Sequence, residues 1–202
     1  GQVVFRSLNM WLSYQNDELK VTPANDLKLN ESFKIDDELW FQDNSKNLYH
    51  RHHDSLQFYS SRDIVKISSK SLNIKGIFKK DSNHLMIGTY KNGLKIYQPE
   101  SNTIDHFESD LDQMGVTMES TDMLPNGDVI VLTENSGVVI LNPFGKVKSL
   151  LNISNGLLSN HMRNSFVDKE GVLWLNSDVG IHKVLLNKNY SLYSSLFEEI
   201  KG

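Results

Sequence analysis

Hydrophobic and polar positions alternate with a period of two along most of this chain. Gly93-Leu94-Lys95-Ile96-Tyr97 and Thr103-Ile104-Asp105-His106-Phe107 each set apolar side chains on one face and polar ones on the other, which is the pattern of half-buried β-strands. Turn-forming clusters separate them: Gln98-Pro99-Glu100-Ser101-Asn102, Asn142-Pro143-Phe144-Gly145 and Leu186-Asn187-Lys188-Asn189, where Pro fixes φ and Gly or Asn tolerates positive φ. No stretch longer than about ten residues carries an apolar stripe at helical spacing, although Leu196-Phe197-Glu198-Glu199-Ile200 has room for one turn.

The strands recur as a unit. Leu85-Met86-Ile87-Gly88-Thr89, Val129-Ile130-Val131-Leu132-Thr133 and Leu173-Trp174-Leu175-Asn176-Ser177 follow one another at a step of 44 residues, within the range of a four-stranded propeller blade. Ile74 and Ile77 answer to Met118 and Thr121, then to Met162 and Ser165. Gly93, Gly137 and Gly180 each open the next apolar segment. An earlier copy reads Leu39-Trp40-Phe41-Gln42-Asp43, with Leu48 in the place of Leu94.

The expected fold is therefore all-β: β-propeller blades, each a four-stranded antiparallel meander. Residues 1–23 read as the end of a preceding blade, and 24–65, 66–110, 111–154 and 155–198 as four blades of one partial propeller domain. Four to five blades close only as a very small ring, so the expectation is part of a larger propeller. The remaining blades, or a second copy of the chain, are then expected partners, because an open blade stack exposes apolar faces.

Composition narrows the function classes. With 21 Lys and Arg against 25 Asp and Glu, the formal charge is −4, so the chain as a whole offers no basic surface for nucleic acid. The longest apolar runs resemble Val129-Ile130-Val131-Leu132, far short of the roughly 20 residues a membrane helix needs. Cysteine is absent, which excludes disulfides, thiolate nucleophiles and cysteine zinc sites. The chain opens Gly1-Gln2-Val3 without Met or an apolar leader, which reads as an interior piece of something longer.

Candidate chemistry is sparse. His50-Arg51-His52-His53-Asp54 is the only dense cluster of metal-ligand types, and a solvated turn explains it better than zinc. Asp110-Leu111-Asp112-Gln113-Met114-Gly115 starts like a calcium loop, but position twelve is Thr121 where such a loop carries Glu. Asp36-Asp37-Glu38 falls at a hairpin turn. No phosphate-binding loop, nucleophile elbow or H-E-x-x-H occurs, so no catalytic residue, metal or cofactor is expected. Trp174 and Trp40 occupy equivalent slots and are expected to fill the space between blades.

Asn155-Gly156-Leu157-Leu158-Ser159-Asn160, followed by Asp168-Lys169-Glu170-Gly171-Val172-Leu173-Trp174-Leu175 and Gly180-Ile181, resembles the two-component regulator propeller repeat, whose pattern runs G-L-x-S-N, D-x-x-G-x-L-W-I-G-T and x-x-G-L. Asn176-Ser177 departs from the usual Gly-Thr, which returns at Gly88-Thr89. The resemblance covers residues 24 to 195. It implies a seven-bladed propeller in the periplasmic or extracellular sensor region of a bacterial hybrid two-component system, with a membrane-anchored, dimeric parent carrying a histidine kinase; related repeats occur in diguanylate-cyclase receptors and secretion-associated surface proteins.

In a propeller, the loop joining second to third strand and the loop entering the first strand share one rim, where recognition residues collect. The rim candidates are Tyr90, Lys91 and Asn92, then Glu134 and Asn135, then Asp178, with His161 and Arg163 at the start of the last copy. Tyr90 offers a stacking face, and Asn92, Asp178 and Arg163 offer directed hydrogen bonds suited to a carbohydrate or other small polar ligand. The expected function is a non-catalytic ligand-sensing segment of a signalling receptor. The alternative is a protein-interaction scaffold that senses nothing; a propeller enzyme ranks below both, since the inner-strand residues are mostly apolar.

Overall fold

A computed structural model describes residues 3–6, 10–15, 17–23, 28–35, 38–46, 48–52, 55–58, 72–101, 103–168, 170–185 and 191–196. Among the described residues, nineteen strands form five antiparallel meanders. The first has three strands, β1 (Val3–Arg6), β2 (Met10–Gln15) and β3 (Glu18–Pro23). Four four-stranded sheets follow. The first comprises β4 (Leu29–Ile35), β5 (Glu38–Asp43), β6 (Leu48–His52) and β7 (Ser55–Phe58). The second comprises β8 (Ile74–Lys79), β9 (Leu85–Thr89), β10 (Leu94–Gln98) and β11 (Thr103–Phe107). The third comprises β12 (Met118–Met123), β13 (Val129–Thr133), β14 (Val138–Leu141) and β15 (Val147–Leu151); the fourth, β16 (Met162–Val167), β17 (Val172–Ser177), β18 (Gly180–Leu185) and β19 (Ser191–Leu196). The only α-helical turn among the described residues is α1 (Leu111–Met114), closed by Gly115 at φ +61°.

The first strands lie side by side, β8 between β4 and β12, and β12 between β8 and β16. Sheets stacked face to face in this way are blades of a β-propeller. Strand alternation then explains the core. Ile87 on β9 packs back toward Phe33, Trp40 and Ile74, whereas Met86 packs forward against Met118, Val129 and Val131. On β13, Ile130 and Leu132 face the fourth blade's Met162, Leu173 and Leu175. Alternate residues of β9 and β13 are thus committed to one neighbouring blade or the other, and each fully buried aliphatic side chain contributes about 1.5–3 kcal/mol.

Trp40 is buried in the first of these interfaces, as its slot requires, but Trp174 is 36% exposed. The difference is one of position in the stack. Phe166, Trp174 and Ile181 share the far face of the fourth blade through the register Phe166↔Trp174 and Asn176↔Ile181, and all three are exposed. Their register equivalents Phe78, Met86 and Leu94 are buried by the blade that follows.

One other expectation changes. His50, Arg51 and His52 belong to β6 and pair with Gln57, Leu56 and Ser55, so the histidine run starts inside a strand; His53 and Asp54 lie outside the described residues, as do Asp36, Asp37, Asn187-Lys188-Asn189 and residues 197–202. Asp110 and Asp112 serve as structural ties: Asp110 accepts from Lys146 Nζ at 2.9 Å and Val147 N at 2.8 Å, and Asp112 accepts from Ser109 N at 2.8 Å.

Candidate functional site at the mouth of the blade ring

The second-to-third strand turns are built alike. Thr89 Oγ1 donates to Gly93 O at 2.7 Å and accepts from Asn92 N at 3.0 Å; Thr133 Oγ1 donates to Gly137 O at 2.8 Å and accepts from Ser136 N at 2.8 Å. Ser177 Oγ does the same for Gly180 O at 3.1 Å. In the first blade Asp43 fills the slot and accepts from Tyr49 Oη at 2.9 Å. A small buried oxygen at this point satisfies the tight turn, which leaves the residue after it to point outward at one end of the molecule: Asn44, Tyr90, Glu134 and Asp178. Their backbones stitch the loops together, with Tyr90 N donating to Asn73 O at 2.8 Å, Met118 N to Tyr90 O at 2.9 Å, and Glu134 N to Thr117 O at 3.0 Å.

A second circle lies on the first strands. The pairing of each jumps by one residue near its start, from Leu29 to Glu31, Ile74 to Gly76, Met118 to Ser120 and Met162 to Asn164. The inserted residues are Asn30, Lys75, Glu119 and Arg163. A bulge re-aims its extra side chain, and here it turns polar groups toward a shared cavity of about 220 Å³ that also receives Glu31. Glu31, Lys75, Glu119 and Arg163 recur every 44 residues with alternating charge. Lys75 Nζ sits 2.8 Å from Glu31 Oε1 and 3.9 Å from Glu119 Oε2. Among the described residues Arg163 makes no ion pair, and its side chain is exposed.

Tyr90 links the two circles. Its hydroxyl donates to Glu134 Oε2 at 3.4 Å, and Lys75 Nζ and Lys91 Nζ stand 5.6 and 5.3 Å from the ring centroid, within cation–π range. Burial raises the phenol above its usual value, and the Glu134 and Glu119 carboxylates push it further the same way. The ring is therefore engaged by ammonium groups, and it is the hydroxyl and the surrounding charges that define this part of the mouth.

The other rim candidates divide. Lys91 and Asn92 line a separate groove of about 340 Å³ between the β9–β10 turn and α1, with Asp112 and Thr117 on its far side. Asn135 and Asp178 are exposed turn residues, and His161 is half-buried with its backbone N–H donated to Ser159 Oγ at 3.0 Å. The structure thus groups Tyr90, Glu134 and Arg163 near the first-strand circle. Glu31, Lys75 and Glu119 are missing from the rim candidates, although stepping back from Arg163 by the repeat length reaches each of them. Among the described residues no group of three or more His, Cys, Asp or Glu is placed to hold a metal ion.

No protein-family model and no curated protein matches the chain. Solved structures do. The extracellular domain of a protein assigned as a one-component system of B. thetaiotaomicron superposes with a TM-score of 0.66 at 15% identity, over 98% of this chain and 30% of that one. The extracellular domain of a protein assigned as a hybrid two-component system of the same organism gives 0.65 at 16% identity, over 96% and 26%. Virginiamycin B lyase from Staphylococcus aureus gives 0.58 at 11% identity, over 96% and 66%. This chain spans less than a third of the length of the two extracellular domains. It is a run of β-propeller blades with the fold found in the extracellular domains of such signalling systems.

Proposed function

We propose that the chain is a ligand-sensing segment of an extracytoplasmic receptor of the two-component type, taking a small polar ligand, an oligosaccharide, at the mouth of the blade ring. The observation that carries this reading is the convergence of Lys75, Glu119, Tyr90, Glu134 and Arg163 from three blades on one end of the stack. A rigid scaffold presenting donors and acceptors from several loops is how polar ligands are held. The likeness to extracellular domains of signalling systems supports the placement outside the cytoplasm, and the parent in this reading is membrane-anchored and dimeric.

In this reading the segment itself performs no chemistry, and a kinase or cyclase module elsewhere in the parent carries the output. Ligand at the mouth shifts the receptor only by binding one arrangement of the two subunits better than the other. A further blade of the same propeller covers Phe166, Trp174 and Ile181, as the following blade covers their equivalents in the second. The rival is a non-sensing protein scaffold, favoured by Phe144, which is 82% exposed beside Lys146 and His106.

Calorimetric titration with a panel of oligosaccharides tests the choice. Saturable binding that weakens at least tenfold in Tyr90→Ala or Glu119→Ala is expected. An inert panel, together with one stoichiometric protein partner lost in Phe144→Ser, overturns the sensor reading and installs the scaffold.

A further inference from the structure

The two cations of the first-strand circle are not equivalent. Lys75 is already neutralised, held at 2.8 Å by Glu31 and 3.9 Å by Glu119, with 12% of its side chain exposed. Arg163, two repeat steps farther round, is exposed and has no ion-pair partner among the described residues. Between them, Glu119 has among the described residues only the long ion-pair contact to Lys75. Asn30, Ser120 and Asn164 complete the wall of the cavity with neutral donors and acceptors.

A guanidinium presents a planar fork matched to a carboxylate and binds it through two parallel hydrogen bonds, which a lysine at the same place does not reproduce. The carboxylate of Glu119 accepts from hydroxyls, and the amides of Asn30 and Asn164 both donate and accept. A volume of about 220 Å³ falls below the ~300–1,000 Å³ of sites that enclose drug-sized molecules. It suits one terminal sugar unit whose chain continues over the rim.

We propose that the mouth recognises an acidic saccharide, a uronic acid unit whose carboxylate docks on Arg163 while its ring hydroxyls bond to Glu119, Asn30 and Asn164. The proposal rests on the reading of this mouth as the ligand site and adds the ligand's charge and the residue that reads it. A neutral sugar leaves the guanidinium without a partner that its geometry is shaped to take. A simple anion fails to use Glu119, whose negative charge one blade away repels it unless hydroxyls intervene. The chain's net charge of −4 offers no long-range attraction for an anionic ligand, so the preference has to come from contact at Arg163 and not from steering.

The test titrates the protein with a panel of uronic acid disaccharides and with the carboxyl-reduced counterpart of each. The acid form is expected to bind at least tenfold more tightly than its reduced counterpart. Arg163→Ala brings the two within threefold of each other, and Arg163→Lys keeps part of the preference. Circular dichroism checks that both variants fold, and if either does not, the wild-type ratio of acid to reduced form decides alone. Reduced forms that bind as tightly as the acids overturn the acidic class and leave the sensor reading standing. A panel in which neither form of any disaccharide binds overturns both.

Discussion

Lys75 Nζ lies 2.8 Å from Glu31 Oε1, tying the bulge of the second blade to the first strand of its neighbour through an ion pair with only 12% and 22% of the side chains exposed. Glu119 stands on the opposite side of the same ammonium at 3.9 Å. A half-buried cation between two carboxylates carries more weight than a surface pair, because its removal leaves like charges facing each other in a region with little water. Lys75→Met is expected to destabilise the fold by about 2–4 kcal/mol, and adding Glu31→Gln to recover part of that loss. Urea unfolding of the wild type, both single variants and the double variant measures the coupling. A coupling near zero would mean that solvent screens the tie as it does at an ordinary surface pair.

Gly88 and Gly76 face each other across the β8–β9 ladder, and a Cβ on either would run into Thr121 of the third blade. Neither glycine has an unusual φ, so the requirement is closeness of approach and not backbone freedom. Gly88→Ala is expected to cost about 2–4 kcal/mol through overpacking between inner strands. Thr121→Ala removes the hydroxyl and methyl that the new Cβ meets but keeps the Thr121 Cβ, itself 2.7 Å away, so the double variant should recover only part of the loss, while Thr121→Ala alone costs about 1 kcal/mol. Equal stability of Gly88→Ala and wild type in a denaturant titration would show that the blades separate freely enough to absorb a methyl group.

The strands, their grouping in fours and the 44-residue step were legible because alternation and period survive in a single sequence. Gly93 and Gly137 were legible as the residues that open a third strand, without the Thr89 and Thr133 hydroxyls that close onto them. The first-strand circle was not. Lys75, Glu119 and Arg163 follow residues that align as Ile74, Met118 and Met162, and only the bulge decides that they turn toward the mouth. No pattern of apolar and polar positions marks an inserted residue in a strand. Helix α1 spans four residues, too short to display a helical period. Trp174 was assigned by the chemistry of its slot, which is right for Trp40, but burial also depends on whether a blade follows.

Asp168 shows why the D-x-x-G-x-L-W run holds together. Its carboxylate accepts from Glu170 N at 2.9 Å, Val172 N at 3.0 Å and Trp174 Nε1 at 2.8 Å. The indole bond first, and the two backbone bonds with it, hold the carboxyl below its usual value. A carboxyl whose folded value is depressed adds stability above the unfolded value of about 3.9 and loses it as the pH falls through the lower folded value. The fluorescence of Trp174 is therefore expected to change below about pH 4, ahead of global unfolding. In Asp168→Asn that titration should vanish while the other two tryptophans respond as before. A transition that persists in the variant would place the proton elsewhere.

His182 turns the same linkage toward neutral pH. Its side chain is fully buried on β18, with Nε2 3.2 Å from Ser177 Oγ, and burial lowers its basicity. The unfolded imidazole takes a proton near its ordinary value of about 6.5, while the folded one stays neutral until a lower pH. Between those two values unfolding takes up a proton, so stability is expected to fall as the pH drops from 7 toward 5 and to level off above about 7. Replacing His182 by Gln keeps a polar group within reach of Ser177 and removes the titration, so the variant should give a flat urea midpoint across this range once acid effects at the carboxylates are excluded. Ser177 closes the β17–β18 turn beside the mouth through Gly180, and protonation of its buried neighbour would loosen that turn first. Hydrogen exchange at Gly180 and Val179 that accelerates at pH 5.5 in the wild type, and not in His182→Gln, is the local signature. Identical exchange in the two proteins would confine the effect of His182 to global stability.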